Sequence, residues 1–289
     1  SYEADWSVDF FALGETATNY VSVRVWYGIG ISRTVNDVFY VLKDVIAPSI
    51  ADNQADDLVW RNADPGAIYN VDFADAGGSK LNNARYCASS STVLTCDIKA
   101  WTDIAANISS NGYTADWGID FAGFKEGVNY ISAGAFDFAS NSVQQANVFS
   151  VRKDTTVPAI TDNQPGDTVW RGINDGVYNV DFADTGGSLL QKAEVKITSG
   201  IAQTGTVFAD WTAVLTAINS ASYSADWPLT SGLWTLLQSG TNYISVRVYD
   251  NAGSSATLSD AFYILKDTQA VIISDNQTGD NTWRSLNSG

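Results

Sequence analysis

The chain has 289 residues, 45% hydrophobic and 12% aromatic, which is too long for one small domain and apolar enough to bury real cores. Its 32 acidic against 16 basic residues give a formal charge of −16, which argues against nucleic acid as a partner, because phosphate binding runs on clustered cations. Histidine is absent, so no Ser-His-Asp or Cys-His machinery, no His-ligated zinc and no histidine proton shuttle can be built from it.

Of the acidic residues 28 are Asp and only 4 are Glu. Glu suits helix surfaces, whereas the short Asp side chain bonds nearby backbone in turns or binds a hard cation, so the composition is that of a loop-rich β protein. No run of 18 apolar residues exists to span a membrane, and no signal segment opens the chain.

Along the chain the first strand signal is Val21, Val23 and Val25 alternating with Ser22 and Arg24. Asp52-Asn-Gln follows, then an acidic turn and Trp60-Arg61, then the alternating run Tyr69-Asn-Val-Asp-Phe and the loop Asp75-Ala-Gly-Gly-Ser79. The same blocks return as Asp162-Asn-Gln, Trp170-Arg171 and Tyr178 to Ser188, and again as Asp275-Asn-Gln and Trp283-Arg284, at spacings of 110 and 113 residues. In the second copy Tyr178, Val180 and Phe182 alternate with polar or small residues, as do Ile244, Val246 and Val248 further on. Trp101 to Ile108 and Trp211 to Ile218 are the short helical candidates.

A period near 110 is too long for a solenoid unit and matches a β-sandwich, so the fold class expected is all-β, as tandem immunoglobulin-like antiparallel sandwiches. Registered against the repeat, Ser1 falls at Ser222 and Gly289 at Gly176. The expected division is residues 1–48 as the C-terminal half of a module, 49–158 and 159–271 as complete modules, and 272–289 as the start of another, a segment of a longer array. The half-module exposes apolar edges. Either an identical neighbouring chain completes them by strand addition or the same polypeptide runs on; both readings stay open.

The run Gly240-Thr-Asn-Tyr-Ile-Ser-Val-Arg-Val-Tyr-Asp-Asn-Ala-Gly-Ser254, with the strand ending Tyr263-Ile-Leu-Lys-Asp-Thr268, resembles the last two strands of bacterial immunoglobulin-like repeats. Lys153 to Ile160 is similar to the linker between such repeats and Asp184-Thr-Gly-Gly-Ser188 to their first inter-strand loop. The resemblance covers nearly the whole chain and implies a non-enzymatic spacer in large bacterial cell-surface or extracellular proteins such as adhesin stalks, fibres and envelope coats. The Asp-Asn-Gln and Trp-Arg blocks are not general features of that family.

Asp44, Asp154 and Asp267 precede Asp52, Asp162 and Asp275 by eight residues at all three junctions. Calcium takes six to eight oxygens, so these six carboxylates are the candidate cation ligands; the competing reading is plain turn chemistry, with Lys43, Lys153 and Lys266 neutralising the aspartates beside them. Cys87 and Cys96 flank a Ser/Thr-rich stretch and are expected to form a local disulfide in an exported chain. Eight of the ten Trp recur between repeats, which favours core or junction packing over a sugar platform. The arginine of Trp-Arg either stacks on an aromatic or pairs with an aspartate of the neighbouring module, or is a solvated strand end. The alternative function is a carbohydrate- or protein-binding module acting through variable loops, because 88–100 diverges from 197–209 while the framework hardly changes.

Overall fold

In a computed structural model, residues 2–164, 166–279 and 281–286 are described; Ser1 and Gly289, on which the registration of the two ends rests, lie outside them. The chain is almost entirely β. Strands β1 (Thr18–Tyr27) and β2 (Ile31–Leu42) form an antiparallel hairpin that turns through Gly28 and Gly30, both at positive φ. Among the described residues no second sheet packs on it, and Trp26, Val35 and Tyr40 are exposed.

Then follow β3 (Ser49–Asp52), β4 (Trp60–Arg61), β5 (Val71–Ala74), β6 (Leu81–Ser89), β7 (Lys99–Ser110), β8 (Gly112–Tyr113), β9 (Gly127–Asp137) and β10 (Ser142–Lys153). They make a three-stranded sheet, β3-β5-β8, and a five-stranded sheet, β4-β10-β9-β6-β7. The pattern repeats with β11 (Ala159–Asp162), β12 (Asp167–Arg171), β13 (Val180–Ala183), β14 (Leu190–Thr198), β15 (Val207–Leu215), β16 (Ser222–Tyr223), β17 (Gly240–Asp250) and β18 (Ser255–Lys266), arranged β11-β13-β16 and β12-β18-β17-β14-β15. In each sandwich every pairing is antiparallel except that of the short Trp-Arg strand, which runs parallel to the last strand.

The alternating residues fill two separate cores. Tyr69, Val71 and Phe73 meet Trp117 and Phe149 in the first, and Tyr178, Val180 and Phe182 meet Trp227 and Phe262 in the second. Tyr69 stacks on Phe149 with ring centroids 4.5 Å apart, and Tyr178 on Phe262 at 4.4 Å. Each buried indole donates to a strand carbonyl, Trp117 to Val71 at 3.2 Å and Trp227 to Val180 at 3.1 Å, so the polar edge of the ring is satisfied. Each such aromatic contributes about 2–3 kcal/mol by burial.

The helical expectation for Trp101 to Ile108 and Trp211 to Ile218 is corrected, since these segments lie in or just beyond strands β7 and β15. The register of β6 with β7 slips between Asp103 and Ala105 and again where Asn107 and Ser109 adopt positive φ, and these irregularities break strict alternation, so that the half-buried Trp101, Ile104 and Ile108 fall three and four residues apart and imitate a helical period. Trp101 stands over Arg85, with the guanidinium 4.5 Å from its ring and 4.3 Å from that of Phe136. The helix that does form, α1 (Ser231–Leu236), is capped by the Thr230 hydroxyl, which accepts from Leu233 N–H, and it packs Leu233 into the second core.

Candidate metal centre at the module junctions

The aspartate that ends each last strand enters the structure that follows. Asp154 lies just after β10, and its carboxylate accepts from Thr156 N–H at 3.0 Å and from Ser188 N–H at 2.9 Å, the latter in the loop after β13. Asp44 does the same after β2, accepting from Ile46 N–H at 3.0 Å and Ser79 N–H at 2.8 Å. The Gly-Gly pair makes this possible, because a Cβ on Gly186 would collide with the Asp154 carboxylate and one on Gly77 with that of Asp44. A carboxylate from one unit is thus inserted into a loop of the next.

Two further carboxylates wait at each place. Asp44 meets Asp75 and Asp137, and Asp154 meets Asp184 and Asp250, with ligand oxygens in each trio within 4.8 Å of one another. The second trio is wholly buried, and in the first Asp75 and Asp137 are buried. Loop amides hold them in place: Asp184 accepts from Gly186 and Leu189, Asp75 from Gly77 and Lys80. Asp137 accepts on both oxygens from Asn141. Asp250 accepts from Ser254 N–H on Oδ1, while its Oδ2 is buried without a hydrogen-bond partner, as is Ser188 Oγ in the loop that receives Asp154.

The lysines do not neutralise these groups. Lys43 donates to Leu13 O and lies 3.5 Å from Glu15, and Lys153 donates to the carbonyls of Ala122 and Phe124, each ammonium facing an aromatic ring of its own unit. Lys266 likewise binds the C-terminal carbonyls of α1. No ion pair among the described residues reaches the six clustered carboxylates. Burial and the neighbouring Asp154 and Asp184 push the Asp250 carboxyl above its ordinary range, against the hydrogen bond from Ser254. Burial also works to raise Asp44, but the hydrogen bonds it accepts at Ser79 and Ile46 outweigh it and hold the group below that range. Three carboxylates, orphaned oxygens and no resident positive charge form a donor set suited to a hard divalent cation.

The expected pairing of these junction aspartates with the Asp-Asn-Gln aspartates is not what the structure builds. Asp52, Asp162 and Asp275 each turn back to accept from the N–H two residues on, at Gln54, Gln164 and Gln277. The blocks at Asp52 and Asp162 staple β3 to β5 and β11 to β13: Asn53 donates to Asp72, and Asn163 to Asp181, at 2.9 Å. Asp267 is exposed; its N–H donates to Arg171 O and its carboxylate accepts from Gln269 N–H. The partners that sequence reasoning missed, Asp75, Asp137, Asp184 and Asp250, carry a signal of their own: each recurs at the same place in both copies, two in the Asp-x-Gly-Gly-Ser loop and two at the end of β9 or β17.

The arginine of the Trp-Arg block pairs within its own sandwich, Arg61 with Asp57 at 2.7 Å and Arg171 with Asp167 and Asp175. It is Trp60 that reaches the neighbour. Cys87 and Cys96 are disulfide-bonded across the loop between β6 and β7, with Cα atoms 5.4 Å apart. The second sandwich closes the matching loop with hydrogen bonds between Ser199 and Thr206 and an ion pair of Lys196 with Asp210 at 3.3 Å.

No family model matches the chain, and no curated protein does. Among solved structures it is similar to fibronectin(III)-like modules of Clostridium thermocellum CbhA, at 12% identity over 80% of this chain and 100% of that one, with a TM-score of 0.29. It is also similar to a tetra-tandem repeat from the extending region of a large adhesion protein, at 14% identity over 87% of this chain and 57% of that one, TM-score 0.30. A third is an adhesin described as Ca2+-stabilized, with which an Antarctic bacterium binds ice, at 17% identity over 85% of this chain and 56% of that one, TM-score 0.31. The chain spans little more than half the length of the last two. No helix among the described residues is long and apolar enough to cross a membrane.

Proposed function

We propose that the chain is a structural spacer: a stretch of tandem immunoglobulin-like modules, 49–158 and 159–271 being complete, in a long repetitive protein on the surface of a bacterium or outside it. The observation that carries the reading is the carboxylate passed from one unit into the loop of the next, made twice with the same residue types. A freely jointed string of domains needs no such device, whereas a spacer that must hold a distance does. Calcium is the proposed cation. Asp44, Asp75 and Asp137 would hold one ion and Asp154, Asp184 and Asp250 another, with Ser79 and Ser188 hydroxyls beside them. The ion supplies positive charge that lets three carboxylates share one buried place.

The partners in this reading are neighbouring modules of the same or an identical chain, and the chain performs no chemistry. The test is a melt of the full chain with calcium and with chelator, joined to small-angle scattering. Calcium is expected to raise the melting temperature and narrow the spread of inter-module angles, and chelator to reverse both. Identical melts and scattering in the two conditions would sink the cation-stiffened spacer.

A further inference from the structure

Trp60 and the two residues after it touch each of the three carboxylates of the second trio through one intermediate. The carbonyl of Arg61 accepts from Asp154 N–H at 2.9 Å, which fixes the backbone of the ligand that crosses the junction. The Trp60 indole lies over Gly187, where a Cβ would stand 3.1 Å from Cη2, and Gly187 is in the loop that carries Asp184. Gly187 adopts φ +111°, open to glycine and strained for other residues, so it brings its bare face under the ring. Asn62 Nδ2 is 3.4 Å from Ser254 Oγ, and Ser254 N–H is the hydrogen bond that orients Asp250. Arg152, the register partner of Trp60 on β10, places its guanidinium 5.9 Å from the indole and steadies the ring from its own sandwich.

At the first trio Gly78, the counterpart of Gly187, is not left-handed, and a Cβ on it would stand 3.4 Å from the backbone of Thr16. Gly78 and Ala139, the counterpart of Ala252, there line a cavity of about 470 Å3 together with Leu42 and Phe138, whereas Ala252 lies against Trp60 and Asn62 at the second junction.

We infer that Trp60-Arg61-Asn62 is a latch that docks on the Gly187 loop of the following sandwich and positions the Asp154, Asp184 and Asp250 carboxylates for the cation. The inference rests on the calcium reading above. Trp60 is a positioning residue, since it touches no ligand oxygen itself. Residues that orient metal ligands from behind commonly cost tenfold or more in affinity when removed.

The experiment is calorimetric titration of the full chain with calcium, with Asp75→Asn in the background so that only the second site is read. Trp60→Ala is expected to weaken that site by about tenfold, Trp60→Phe to restore most of the loss, and Asn62→Ala, which leaves both cores untouched, to weaken it less but in the same direction. In the unaltered background Trp60→Ala leaves the first site unchanged, and the calcium-dependent change of indole emission disappears. Calcium binding of equal strength with and without Trp60, in variants whose sandwiches melt normally, overturns the latch alone. No calcium binding by the unaltered chain overturns the latch and the calcium reading together.

Discussion

The two junctions begin from the same residues and end differently. Both insert an aspartate into an Asp-x-Gly-Gly-Ser loop and both gather three carboxylates. At the first, Asn141 occupies both oxygens of Asp137 and also donates to the carbonyl of Asp44 at 3.1 Å, so the trio is largely satisfied by the protein. At the second, serine stands in place of that asparagine and Asp250 keeps an unpartnered buried oxygen. One amide exchanged for a hydroxyl decides how much of a buried charge is left for a ligand. A junction rich in internal hydrogen bonds depends less on its ion than one that leaves oxygens orphaned.

The harshest way to break the comparison is to fill the loops. Gly186→Ala and Gly77→Ala each place a methyl where a carboxylate sits, and each is expected to cost its own junction about 3 kcal/mol, with calcium binding lost there and kept at the other. Calorimetry on the two variants reads this directly, and loss of both sites from a single substitution would contradict independent junctions. Next in size is the disulfide. Replacing Cys87 and Cys96 by Ser is expected to destabilise the first sandwich by about 2–3 kcal/mol and leave the second untouched, which two resolved transitions in denaturant would display. The smallest effect sharpens the contrast. Ser254→Asn supplies the amide that Asp250 lacks and is expected to stabilise the cation-free second junction by about 1 kcal/mol while lowering its calcium affinity, measured by melts in chelator and by titration.

Much of the fold was legible because it is written twice. Tyr178, Val180 and Phe182 show the period of a half-buried strand, and their counterparts Tyr69, Val71 and Phe73 fall in the same place in the other core. The misread segments are those where a bulge breaks that period, as between Trp101 and Ile108. A third of the candidate site was visible as well: of its six carboxylates, Asp44 and Asp154 were among the expected ligands. Their partners were sought eight residues away, but Asp52 and Asp162 are turn residues, and the groups that do converge, Asp137 and Asp250, lie more than ninety residues along the chain. Proximity in sequence favours a turn, while a buried charge cluster is made by topology, when the end of one β-strand and the loop after another come to the same corner of a sandwich. Trp60 was recognisable as a recurring residue, but its seat, Gly187 of the following unit, is set by topology and leaves no local signal in the sequence.

The aspartate swallowed by its neighbour also determines what a pull along the chain would meet first. Load passed from β10 towards β11 runs through Asp154, held in the adjoining loop by one amide of Ser188, with Trp60 seated on Gly187 of the same loop. That clasp spans a few ångströms and must give way before any strand is peeled from a sheet. In the spacer proposed above, stretching therefore begins with short slips at the clasps and only later reaches the long unravelling of a sandwich, and a bound cation would set the force at which the first slip occurs.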